Sequence, residues 1–168
     1  MAGSAIPDKG ATSSTVYPPA PPVIAASRPA FPKGALGHLS LGVSDLYKST
    51  VFYDACLAPI GLTRTFTDYP APGFRMEGEV GYGLPGGNDF IGIKHQPGGA
   101  VVAGAGTHIA FNAPCREAVH EFYTAALANG GVDDGPPGLR SDYGEHYYAA
   151  FVRDPDGWRL EAVFQEPL

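Results

Sequence analysis

The chain repeats itself, and that limits its fold more than any other feature. Sliding the sequence by 70 residues places His38 on His108 and Phe52-Tyr53 on Phe122-Tyr123. It also places Ala55, Leu57, Ala58 and Gly61 on Ala125, Leu127, Ala128 and Gly131. The same offset carries Pro85-Gly86-Gly87 onto Pro155-Asp156-Gly157. A histidine, an aromatic pair and a Pro-x-Gly turn in one register specify a duplicated structural module.

Each copy reads as one strand, one helix and three strands. His38-Leu-Ser-Leu-Gly-Val43 alternates as a half-buried strand does. Ser44 is placed to cap a helix over 45–59 that stops near Gly61. Strands are expected at 62–68, 76–83 and 89–95, separated by Tyr69-Pro-Ala-Pro-Gly73 and by Pro85-Gly-Gly-Asn88. The second copy opens with His108-Ile-Ala-Phe-Asn112 and continues in a helix over 114–128. A weak strand near 131–134 is broken by Gly135-Pro-Pro-Gly138, and strong strands follow at 146–153 and 158–164. The expectation is an α+β fold of two tandem β-α-β-β-β modules, about 36–96 and 106–165, forming a curved mixed sheet.

Residues 1–35 differ in composition. They hold seven prolines, including the run Tyr17-Pro-Pro-Ala-Pro-Pro22, and read as a flexible arm ahead of a domain over 36–165. Net charge is −6 overall, +2 over the arm and −8 over the remainder. An acidic body repels phosphate backbones, so nucleic acid is not an expected partner. No apolar run is long enough to span a bilayer, and no secretory leader is apparent, so the expected setting is cytoplasmic. Cys56 and Cys115 form no metal or redox pair and read as small hydrophobes in a reducing compartment.

The chemistry-bearing residues follow from the duplication. Equivalent copies place His38 and His108 on equivalent strand faces. Glu161 sits between Leu160 and Ala162 in an apolar strand, where a buried carboxylate needs a partner such as a cation. Two histidines and one carboxylate can hold a divalent ion, with Fe, Mn, Zn, Co and Ni all compatible, and leave positions open for a ligand. Moving Glu161 back by 70 lands on Ile91, so the second copy supplies a carboxylate that the first does not. The competing reading makes the histidines ordinary strand residues and pairs Glu161 with Arg159 or Arg153 at the surface. His146 is a candidate general acid or base. Of Tyr147 and Tyr148, which alternation sends to opposite faces, Tyr148 is taken as the proton donor. Arg140 and Lys94 are candidates for holding an anion.

Gly37-His-Leu-Ser-Leu-Gly-Val-Ser-Asp-Leu46, Thr107-His-Ile-Ala-Phe111 and Tyr147-Tyr-Ala-Ala-Phe-Val-Arg-Asp-Pro-Asp-Gly-Trp-Arg-Leu-Glu-Ala-Val163 resemble the openings and the ending of modules in the glyoxalase/bleomycin-resistance/extradiol-dioxygenase family. The resemblance covers about 36–165. It implies the vicinal-oxygen-chelate architecture, with metal ligands at His38, His108 and Glu161 and a small-molecule substrate bearing neighbouring oxygens. It implies a metal-dependent isomerase, lyase, epimerase or dioxygenase, in a chain whose modules pair within one chain or across a homodimer. Ile91 departs from the fourth ligand of glyoxalase I-like members, and Phe151 replaces a tyrosine of the extradiol signature. A metal-free small-molecule binding protein, like the bleomycin-resistance members, is the alternative.

Overall fold

The computed structural model describes residues 36–68 and 78–165. The proline-rich arm and the Tyr69-Pro-Ala-Pro-Gly73 linker lie outside the described residues.

The first module runs β1 (Leu39–Val43), α1 (Leu46–Leu57), a short 3₁₀ turn (Ala58–Ile60), β2 (Thr63–Asp68), β3 (Glu79–Gly83) and β4 (Asp89–His95). The second runs β5 (Ile109–Asn112), α2 (Arg116–Ala128), β6 (Val132–Leu139), β7 (Tyr147–Arg153) and β8 (Arg159–Gln165). The strands form two mixed four-stranded sheets, ordered β1-β4-β3-β2 and β5-β8-β7-β6. In each the first strand runs parallel to the last and the other pairings are antiparallel. The two helices begin 70 residues apart, as the repeat requires.

Two local expectations change. Asp45, not Ser44, caps α1, its carboxylate accepting from Lys48 N–H, while Ser44 N–H donates to Asp156. Gly135-Pro-Pro-Gly138 does not end β6. The strand passes through it with register shifts between Asp133 and Gly135 and between Gly135 and Gly138. β6 is the outermost strand of its sheet, so the prolines' missing donors cost it no partner there.

One face of each sheet packs on the helices. Leu41, Val43, Ile91 and Ile93 of the first sheet join Leu160, Ala162 and Val152 of the second in one core around Phe52, Tyr53 and Phe122. Complete burial of each large side chain contributes roughly 1.5–3 kcal/mol. The modules lock where the β7–β8 turn meets the β1–α1 junction. Asp154 accepts from the N–H groups of Asp156 and Trp158 and from the Tyr53 hydroxyl, and the Trp158 indole N–H donates to the Gly42 carbonyl.

Candidate functional site

The faces turned away from the helices carry the predicted ligands. In β8, Leu160 and Ala162 enter the core, so alternation sends Glu161 and Val163 the other way. β7 pairs Phe151 with Glu161 and Ala149 with Val163. With Tyr147 these residues make a small apolar floor of their own. Glu161 is 1% exposed within it.

Both Glu161 oxygens are engaged. Oε1 accepts a 2.6 Å hydrogen bond from the Tyr147 hydroxyl, and Oε2 lies 3.0 Å from Nε2 of His108. His108 is 39% exposed and touches the Phe151 ring edge-on at a centroid distance of 6.0 Å. Burial, then the Glu161 hydrogen bond and charge, pushes the Tyr147 phenol well above its ordinary pKa, so it stays a donor at neutral pH. Two donors about 2.1 Å from one ion and at right angles stand about 3 Å apart. The His108–Glu161 spacing fits that requirement. Neither Arg159 nor Arg153 serves Glu161: both are ion-paired to Asp134.

Tyr147, not Tyr148, occupies the site face. Tyr148 packs against the core on the helix side, where its hydroxyl lies 2.7 Å from His120 Nε2 and its ring lies under Arg116. The hairpin register contained the signal: Arg153 faces Arg159 across the turn, which puts Phe151 opposite Glu161 and Tyr147 on the same parity. His146 lies half-buried in the turn that precedes β7.

His38 is exposed at the start of β1, the position that His108 holds before β5. Among the described residues, no three His, Cys, Asp or Glu side chains of one chain gather closely enough to hold an ion. Within a chain the structure therefore brings together His108 and Glu161 but does not add His38.

The strand register also changes the partner of Glu161 in the first module. Tyr82 pairs with Ile91 as Val152 pairs with Leu160, so Ile91 corresponds to Leu160. Gly92, across from Ser40 as Glu161 is across from Ala110, takes the Glu161 position. The offset drops by one because Phe90 is an extra residue between the Tyr82–Ile91 and Gly83–Asp89 pairs. Ile91 instead points into the core, 1% exposed.

His108 also lines an open cavity of about 460 Å³ with Asp134, Gly135, Arg140, Tyr143, Phe151 and Arg159. A second cavity, about 360 Å³ and apolar, lies between the modules against Leu39, Ile60, Ile91, Ile109 and Phe111.

The profile of the Glyoxalase/Bleomycin resistance protein/Dioxygenase superfamily matches residues 35–162. The chain belongs to this superfamily. A glyoxalase/bleomycin resistance protein from Albidiferax ferrireducens T118 is 32% identical, superposes with a TM-score of 0.62, and is matched over 79% of this chain and 100% of its own. The fosfomycin resistance protein FosX from Listeria monocytogenes shares the fold at 20% identity and TM-score 0.57, over 80% of this chain and 95% of its own. A mutant of that FosX, complexed with Mn(II) and 1S,2S-dihydroxypropylphosphonic acid, matches at 22% identity and TM-score 0.58, over 80% and 94%. No curated protein matches the chain. No helix among the described residues of this superfamily member is long and apolar enough to cross a membrane.

Proposed function

We propose that this superfamily member is a divalent-metal-dependent enzyme acting on a small organic molecule with neighbouring oxygens. One observation carries the reading: a fully buried glutamate whose two oxygens meet a tyrosine hydroxyl and an imidazole, the latter spaced as a second metal ligand would be. A buried carboxylate held only by neutral donors still bears the cost of burying its charge, and a cation held jointly with His108 would offset that cost. The FosX complex with Mn(II) supports the reading, because there another member of this fold carries such an ion.

His38 is the third ligand of the proposal, supplied by a second copy of the chain. β1 and β5 are each the outermost strand of their sheet, and the two modules of one chain pack through their helices. The ligand-bearing faces of β1 and β5 are thus left for a homodimer to bring together. When bound, the ion acts as a Lewis acid toward substrate oxygens. Glu161 and His108 fix its position, Tyr147 orients the carboxylate, and Phe151 with Val163 and Ala149 keeps water from the Glu161 side.

Elemental analysis of protein purified without a metal-binding tag tests the proposal. Stoichiometric metal that is lost in Glu161→Ala supports it. A metal-free protein that takes up none of these ions on titration identifies a small-molecule binding protein instead.

A further inference from the structure

Arg140 is a cation that the fold has positioned without giving it an anion among the described residues. Its Nη2 donates to the Pro136 carbonyl at 2.6 Å, and its guanidinium lies over the Phe151 ring at 5.3 Å from the centroid. Gly135, at a positive φ of 146°, makes room for this: a Cβ there would come within 3.2 Å of both Arg140 Nη2 and Phe151 Cδ2. One carbonyl, one ring and one glycine therefore hold the fork in place. Yet its Nε is buried with no hydrogen-bond partner among the described residues.

A buried guanidinium donor without an acceptor is costly, and the neighbouring carboxylate cannot serve. Asp134 lines the same cavity, but one of its oxygens is bound to Arg153 and the other to Arg159. Phe151 is the shared wall: Arg140 stacks on it, His108 touches it edge-on, and Glu161 is its partner across the ladder. An oxyanion seated at Arg140 would thus lie in the cavity that His108 opens into.

We propose that Arg140 determines substrate class by binding a carboxylate, phosphonate or phosphate group of a substrate whose neighbouring oxygens face His108 and Glu161. The orientation toward His108 and Glu161 rests on the metal-centre reading, but Arg140 itself needs no metal. The planar fork suits a two-oxygen acceptor, and its stacking leaves little side-chain freedom to lose on binding. A neutral amide of the same shape offers the fork one acceptor oxygen instead of two and no countercharge, so the site should discriminate against it.

Glycolate and its neutral analogue glycolamide, titrated into the full chain with and without Zn(II), distinguish the outcomes. Affinity is read by calorimetry, and the Arg140 Nε–H resonance by NMR. Wild-type protein is expected to prefer glycolate about tenfold or more, with the Arg140 resonance shifting on saturation. Arg140→Met should abolish the preference, and Arg140→Lys, which keeps the charge but not the fork, should retain part of it. Zn(II) affinity should be unchanged in both. Retention of the preference in Arg140→Met, or an Arg140 resonance that glycolate does not move, overturns the inference. If Zn(II) does not bind but the preference still depends on Arg140, the anion site stands and the metal centre falls. If Zn(II) binds and the preference is absent, the reverse holds.

Discussion

Glu161 has two oxygens and a sealed environment, and each neighbour has a separable effect on it. The Tyr147 hydroxyl holds Oε1 and thereby aims Oε2 toward His108. Tyr147→Phe is expected to weaken metal binding about 10- to 100-fold, the usual effect of losing a ligand's supporting hydrogen bond. Tyr148→Phe, on the opposite face, should leave it unchanged. Competition with a chromophoric chelator measures both, and equal effects would remove Tyr147 from the site. Binding should also weaken on acidification, because a ligating imidazole must be unprotonated. The strand carrying Glu161 was legible because an acid between Leu160 and Ala162 stands out. The choice between adjacent tyrosines was not, because it depends on which strand face the hairpin turns toward Glu161.

At the scale of the element, the decisive feature is the one-residue excess in β4. Phe90 shifts the register after Gly83, so Gly92 rather than Ile91 stands where the second module has Glu161. A repeat offset read from aligned turns is blind to a bulge between them. Gly83 is where the distortion is taken up: a Cβ there would come 2.0 Å from the Asn88 carbonyl oxygen, whereas its counterpart Arg153 lies in a regular ladder. Gly83→Ala should destabilise the fold by about 3 kcal/mol or more, measured by urea unfolding. A cost under about 1 kcal/mol would show that the bulge is not rigid. Gly92 offers no proton acceptor, so glyoxalase I-type isomerisation of a hemithioacetal would lack a second carboxylate, opposite Glu161, to act as the base. Asp89 is three residues before Gly92, about 10 Å along an extended strand. The expectation is negligible isomerase activity with Ni(II), Co(II) or Zn(II), and turnover at ordinary enzyme rates would refute it.

Across the whole molecule, the duplicated modules, their element order and their helix register were readable from the repeat. How the modules meet was not. The Asp154-Pro-Asp-Gly157 turn looks like a simple hairpin connection, but Asp154 is buried and binds Tyr53 of the other module. Asp154→Ala should cost about 2–4 kcal/mol, since three donors lose their acceptor. Burial raises the Asp154 pKa despite the hydrogen bonds from Trp158 N–H, Tyr53 OH and Asp156 N–H. The folded chain therefore holds that proton more tightly than the unfolded one, and this group's contribution to stability falls as pH rises from the ordinary carboxyl range through the folded pKa. Asp154→Asn cannot titrate, so it should remove that slope in unfolding experiments run across a pH series. An unchanged slope would place the titration elsewhere.

The proposed sharing of a metal centre between two copies also belongs to the whole molecule, since among the described residues of one chain His38 does not join His108 and Glu161. Mixing two variants, each lacking one proposed ligand, tests this most directly. His38→Ala and Glu161→Ala are each expected to bind no metal tightly. After subunit exchange, a mixed dimer contains one site that has lost both ligands and one with His38, His108 and Glu161 intact. Tight metal binding should therefore reappear in the mixture, read as ions retained after gel filtration. A mixture that retains no more metal than the separate variants would contradict a centre shared between two copies, and undiminished binding by Glu161→Ala alone would contradict the centre itself.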